Sequence, residues 1–222
     1  MTRLVATHLA ETLKQQFVID NRPGAGGIGA RELVARASAE GYTLLVADVG
    51  QTAINPALYA KLPYDPVKDF TAVSIMGTSA QFIAAHASVP ALISGQVSLA
   101  MSALPSLAPH RAGGRIKLLA VNTTKRSAQA PDVPTVAEVT GIKDFDYPPV
   151  IGILAPSATP RAIVNLLSSS IAQAVRHRDV AQRYTTLGID PVGSTSEEYA
   201  AQNRTDFVKY AEVVKAAGLK AE

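Results

Sequence analysis

Residues 17–47, FVIDNRPGAGGIGARELVARASAEGYTLLVA, decide the fold class. The stretch opens on a short apolar run, FVID at 17–20, which predicts a strand. A polar, glycine-rich turn follows at 21–27 (NRPGAGG). Residues 28–39 place Leu33, Val34 and Ala37 at helical spacing, with Gly41 just beyond as a stop. Residues 42–47 (YTLLVA) are β-prone and nearly all apolar, as in a strand buried on both faces. Strand, turn, helix and strand in this order predict an α/β protein with a mostly parallel sheet.

Working outward, the alternation continues. Strands are predicted at 71–76, 82–86, 97–101, 116–121 and 152–155, with helices at 105–113 and 135–139. Thr159 and Pro160 predict the cap and first position of a helix reaching about residue 177. Asp179 can cap a shorter helix that ends near Gly188. A final helix over 196–217 has Ser194, Thr195 or Ser196 as cap, Glu197 and Glu198 in its first turn, and Gly218 as stop. Toward the N-terminus, Leu4, Val5, Leu9 and Leu13 predict an amphipathic helix over 1–16. That segment lacks the continuous apolar core of a signal peptide, so none is read in the chain as given. No run approaches the ~20 apolar residues of a membrane span.

With 222 residues, 47% hydrophobic and 18% charged, the chain can bury a sizeable core as one large domain or two small ones. It has no cysteine, which excludes disulfides, thiolate zinc sites, iron–sulfur clusters and cysteine nucleophiles. Its 21 basic and 18 acidic side chains are scattered, and only 5% of residues are aromatic, so a nucleic-acid groove has little support.

Gly24-Ala25-Gly26-Gly27-Ile28-Gly29 matches G-x-G-x-x-G, and Asp48 ends the next predicted strand about 20 residues on. That pattern keeps open an NAD(P)-dependent enzyme. Against it, Asn21-Arg22-Pro23 separate the glycines from the preceding run, and glycines also serve where backbone must approach closely. The histidines, His8, His86, His110 and His177, fall in unrelated segments without metal-ligand spacing. The run Ser168–Ser170 sits in a predicted helix, where a solvated face is the default. Asp65 and Asp69 around Lys68 read as loop caps. Nothing here forms a catalytic centre, and no cofactor or metal is expected. Two loops suit a carboxylate anion, because ligands of α/β sheets gather beyond the C-terminal strand ends. One is Asp48-Val49-Gly50-Gln51-Thr52; the other begins at Ser102 and Ala103.

Several segments in order resemble the receptor component of tripartite tricarboxylate transporters, the TctC or Bug family: 17–48, 54–76 (INPALYAKLPYDPVKDFTAVSIM), 95–139, 152–175 (GILAPSATPRAIVNLLSSSIAQAV), 187–202 and 213–222. The resemblance implies an α/β, two-lobed, periplasmic-binding-protein-like (type II) architecture. It implies a periplasmic receptor that closes on a small organic acid, delivers it to a membrane permease and performs no reaction. Residues 1–86 then form a first lobe, 87–150 a remnant of the second, and 151–222 a return to the first. Family members begin with a signal peptide and a strand ending in a glycine-rich loop, whereas this chain starts after that point. Between 86–90 and 91–95 a helix and two strands of the family have no counterpart, so the second lobe is expected to be incomplete. Ser102 stands where the family often has aspartate, and Val150 or Ile151 where it often has an aromatic residue. Ligand contacts carry over to Asp48, Val49, Gly50, Gln51 and Thr52, and to Ser102 with Ala103. The readings are thus a carboxylate receptor weakened by its missing segments, the NAD(P)-dependent enzyme, or a remnant without function.

Overall fold

A computed structural model describes residues 1–85, 99–143 and 145–220. The chain forms two compact units. One comprises 1–77, 150–181 and 191–222, and the other 78–149 and 182–190.

The first unit is built on a sheet in the order β1-β6-β2-β7, where β1 is Leu45–Asp48, β2 Phe70–Thr78, β6 Val150–Pro156 and β7 Asp190–Pro191. Strand β2 is buried without interruption from Ala72 to Gly77, as its interior place in the sheet requires. Strand β1 lies at the edge, and its residues alternate: Leu45 and Ala47 point into the core, Val46 and Asp48 outward. The expected burial on both faces is therefore corrected to one face.

Helix α1 (Thr2–Leu13) buries Val5, Ala6 and Leu9. Residues 17–20 form no strand: no ladder partner meets them among the described residues, and Val18 is 80% exposed. An apolar run becomes a strand only where another strand takes its hydrogen bonds. Helix α2 (Ile28–Ala35) ends four residues before the expected 39, at Arg36. A short α3 (Asn55–Leu58) follows the turn after β1.

Later helices complete this unit. Helix α6 (Arg161–Arg176) has Pro160 at its N-cap position, not Thr159, whose buried hydroxyl has no hydrogen-bond partner among the described residues. Its serine run departs from the expected solvated face: Ser168 and Ser170 are buried and only Ser169 is exposed. Helix α8 (Ser196–Ala216) opens on a capping box, with Thr195 accepting from the Glu198 N–H and Glu198 accepting from the Thr195 N–H. The segment before it is tied to β2 by hydroxyls. Ser194 Oγ accepts from the Ile75 N–H at 2.8 Å, and Ser74 Oγ donates to the Ser194 carbonyl at 2.7 Å. Val34, Leu45, Ala47, Ala72, Ile75, Val150, Leu154 and Tyr199 form one continuous core cluster.

The second unit carries a three-stranded sheet in the order β4-β3-β5: β3 is Gln81–Ala85, β4 Leu99–Ala103 and β5 Lys117–Val121. Helix α4 (Leu104–Ala112) joins β4 to β5, and α5 (Val136–Thr140) follows. Phe82, Ala84, Leu107, Leu118 and Val121 anchor its core. Buried Asn122 accepts from the Gln81 N–H at 2.8 Å and donates to the Tyr147 carbonyl at 2.7 Å. Helix α7 (Arg178–Thr186) enters this unit in its second half, where Tyr184 is fully buried.

The mostly parallel sheet expected from strand–helix alternation is corrected. The β1–β6, β3–β4 and β3–β5 ladders are all antiparallel, with Leu45 opposite Leu154 and Ile83 opposite Met101. Strands β4 and β5, joined through α4, do share a direction, but β3 runs between them the opposite way. Alternation describes a crossover and carries no information about a strand inserted between its two ends. The expected strands 82–86 and 97–101 extend partly beyond the described residues, and the gap placed between 86–90 and 91–95 lies outside them.

Candidate functional site

In the first unit the chain leaves β1 at Asp48 and turns at once into the short helical turn Gly50–Ile54. Asp48 is exposed at the strand end, and its Oδ1 accepts from the Gln51 N–H at 3.2 Å. Thr52 is buried and its hydroxyl donates back to the Asp48 carbonyl, also at 3.2 Å. Val49 is buried, while Gly50 and Gln51 are half-buried. The turn is thus a closed internal network with its Asp48 end at the surface.

Beneath the turn lies a residue whose role its sequence context does not show. Arg31, on α2, is 1% exposed. One guanidinium nitrogen, Nη1, donates a short hydrogen bond to the Gln51 carbonyl. The guanidinium carbon stands 4.3 Å from the centre of the Phe70 ring and 5.0 Å from that of Tyr64. Burial lowers the Arg31 pKa, partly opposed by the Tyr64 and Tyr199 hydroxyls. Flanked by Ala30 and Glu32, this arginine carries no signal of burial in the sequence.

The glycine loop packs on the same turn. Gly24, Gly26 and Gly27 all have positive φ. A β-carbon on Gly26 would stand 3.1 Å from the Asn55 side-chain nitrogen, and one on Gly27 2.7 Å from that of Gln51. Asn55 Nδ2 also donates to the Gly26 carbonyl at 2.9 Å. The close backbone approach these glycines permit is therefore made to Asn55 and Gln51, side chains of the turn that follows β1. Asp48, the residue at ribose-binding spacing, directs its carboxylate to the Gln51 N–H.

In the second unit Ser102 pairs with Phe82 across β3–β4 and is half-buried. Ala103 is the N-cap of α4 in extended backbone and makes no side-chain capping bond. The first N–H groups of a helix have no intrahelical partner, and no side chain at the cap takes them here. Ala103 and Pro105 pack against Gly188, whose φ is +72°. The structure thus places the predicted site residues in two groups: Asp48 to Thr52 in the first unit, Ser102 and Ala103 in the second.

Among the described residues no group of three or more histidines, aspartates and glutamates could hold a metal ion, and no helix is long and apolar enough to cross a membrane. Asp65 and Asp69 act as loop caps, as expected. Asp65 Oδ1 accepts from the Val67 and Lys68 N–H groups, each at 2.9 Å, and Asp69 Oδ2 from the Asp65 N–H at 2.6 Å.

The fold of two sheet-centred α/β units has counterparts among solved structures. Among solved structures, one described as a periplasmic transporter aligns with a TM-score of 0.83 and 27% identity, covering 99% of this chain and 92% of that one. An R. palustris protein solved with adipate aligns at 0.84 and 25%, covering 99% and 92%. MatC from Rhodopseudomonas palustris, solved with bound malate, aligns at 0.80 and 27%, covering 96% and 92%. The family described as tripartite tricarboxylate transporter family receptor (TctC) matches residues 1–91 and 85–219, and the chain belongs to it. Relatives include a UPF0065 protein of Bordetella bronchiseptica, 28% identical over 98% of this chain and 81% of its own length. BugT of Bordetella pertussis is 26% identical over 99% and 85%.

Proposed function

We propose that this protein is a periplasmic receptor that captures a small dicarboxylate and passes it to the membrane permease of a tripartite transporter, without making or breaking a covalent bond. The observation that carries this reading is the likeness, over nearly the whole chain, to two binding proteins solved with adipate and with malate. Asp48 to Thr52, Ser102 and Ala103 are the proposed ligand contacts. The start of α4 has no side-chain cap, and its helix dipole, though Pro105 removes one N–H from the first turn, favours negative charge near Ser102 and Ala103.

The receptor is also proposed to be shortened. The match to the Bordetella bronchiseptica relative spans 273 residues, against 222 in this chain. The two family-matched segments overlap at residues 85–91. Loss of even two hydrogen bonds to a charged ligand, at about 1.5–3 kcal/mol each, weakens binding by roughly two to four decades. Ligand-observed NMR and calorimetry with malate, adipate and citrate test both parts. Saturable binding weaker than micromolar is expected. No saturation with any acid overturns the receptor reading, and micromolar affinity overturns the effect of shortening.

A further inference from the structure

We infer that Arg31 is a positioning residue for the ligand turn: it pins the Gln51 carbonyl from beneath and so aims the backbone of Gly50, Gln51 and Thr52. The inference rests on the reading above that this turn meets the ligand. Arg31 is buried to 1% exposure and makes no ion pair with a carboxylate among the described residues, so its charge is not there for a salt bridge. It cannot touch a ligand from that depth. Packing does not account for it either. Among the described residues its Nε is buried without a hydrogen-bond partner, as is the Gln51 Oε1, and each orphan costs stability. An unbranched apolar side chain would fill the space beside Phe70 and Tyr64 without that cost.

What only a guanidinium supplies is a fixed planar donor. The Phe70 and Tyr64 rings hold its plane, and Nη1 meets the Gln51 carbonyl. In a trans peptide the N–H points opposite to the C=O. Holding the Gln51 carbonyl toward Arg31 therefore turns the Thr52 N–H away from it, and the cation strengthens the polarity of that peptide group. Gly27 completes the clamp, since a side chain there would push Gln51 away.

The test compares wild type with Arg31→Met by amide hydrogen exchange without ligand, thermal melting, and ligand-observed NMR titration with malate and adipate. Expected is exchange at Gly50, Gln51 and Thr52 at least about tenfold faster, with α6 amides unchanged and the melting temperature equal or higher. Affinity for whichever acid binds the wild type is expected to fall at least about tenfold. Unchanged exchange in the turn, or a uniform rise across the turn and α6, overturns the inference. If neither acid binds the wild type, the receptor reading fails while the exchange measurement still decides the role of Arg31. Should Arg31→Met not fold, NMR of the wild type decides. Slowly exchanging Arg31 Hη signals coupled through the hydrogen bond to the Gln51 carbonyl support the inference, and rotationally averaged signals overturn it.

Discussion

Gln51 lies directly over Gly27, so that a β-carbon on the glycine would stand 2.7 Å from the Gln51 side-chain nitrogen. Gly27 also has a φ of +80°, a conformation costing other residues about 1–2 kcal/mol. Gly29, three residues after Gly26 in the same motif, has neither constraint, and a β-carbon there would meet nothing within 4 Å. Gly27→Ala is therefore expected to lose about 2 kcal/mol or more in urea unfolding, while Gly29→Ala, inside α2, gains up to about 1 kcal/mol. A nucleotide-binding loop would instead lose function at Gly29, where the third glycine admits the pyrophosphate-bearing helix.

Ser194 joins the entry of α8 to the central strand. Its hydroxyl accepts from the Ile75 N–H at 2.8 Å and donates to the Thr195 carbonyl at 2.9 Å. Ser194→Ala leaves the buried Ile75 N–H without that acceptor, at an expected cost of about 1–3 kcal/mol by chemical denaturation. Ser169→Ala, on the exposed face of α6, is expected to change stability by less than about 0.5 kcal/mol.

Thr159 presents the opposite case. Its hydroxyl is buried, has no partner among the described residues and does not cap α6. Thr159→Val keeps the shape and removes the orphan oxygen, so the melting temperature is expected to rise, by the equivalent of about 1 kcal/mol. A fall in melting temperature would assign the hydroxyl a hydrogen bond.

The acid limit of stability reflects two capping carboxylates. The Lys68 and Val67 N–H groups hold the Asp65 carboxyl below its usual range. The Arg126 side chain and the Thr135 N–H do the same for Glu138. A carboxyl whose folded pKa is depressed stabilises above its unfolded pKa, near 4, and that contribution is lost as pH falls through the folded value. Melting temperature is expected to fall as pH drops below about 4, and less steeply in Asp65→Asn/Glu138→Gln.

Some features were legible in the residues and others were not, for physical reasons. The cap at Thr195, the helices α6 and α8 and the strand β2 follow from local chemistry that operates within a few residues. The strand at 17–20 did not form, because pairing depends on a partner that local pattern cannot supply. Strand direction went astray at β3 for a similar reason. The turn at Asp48 was legible as the end of a strand. Arg31 was not: it reads as one more solvated helix position until Phe70 and Tyr64 close around it. Ser168 and Ser170 were hidden in the same way.

The chain has no tryptophan, and its two most deeply buried tyrosines lie one in each unit: Tyr199 in the first, beside the less deeply buried Tyr64, and Tyr184 in the second. Burial pushes both phenols well above their usual range. A group whose folded pKa is raised stabilises fully below its unfolded pKa, about 10, and progressively less as pH rises beyond it. Each unit thus holds an internal optical probe. Tyrosinate absorbance is expected to lose part of its high-pH amplitude in Tyr199→Phe and, separately, in Tyr184→Phe, each loss reporting on one core.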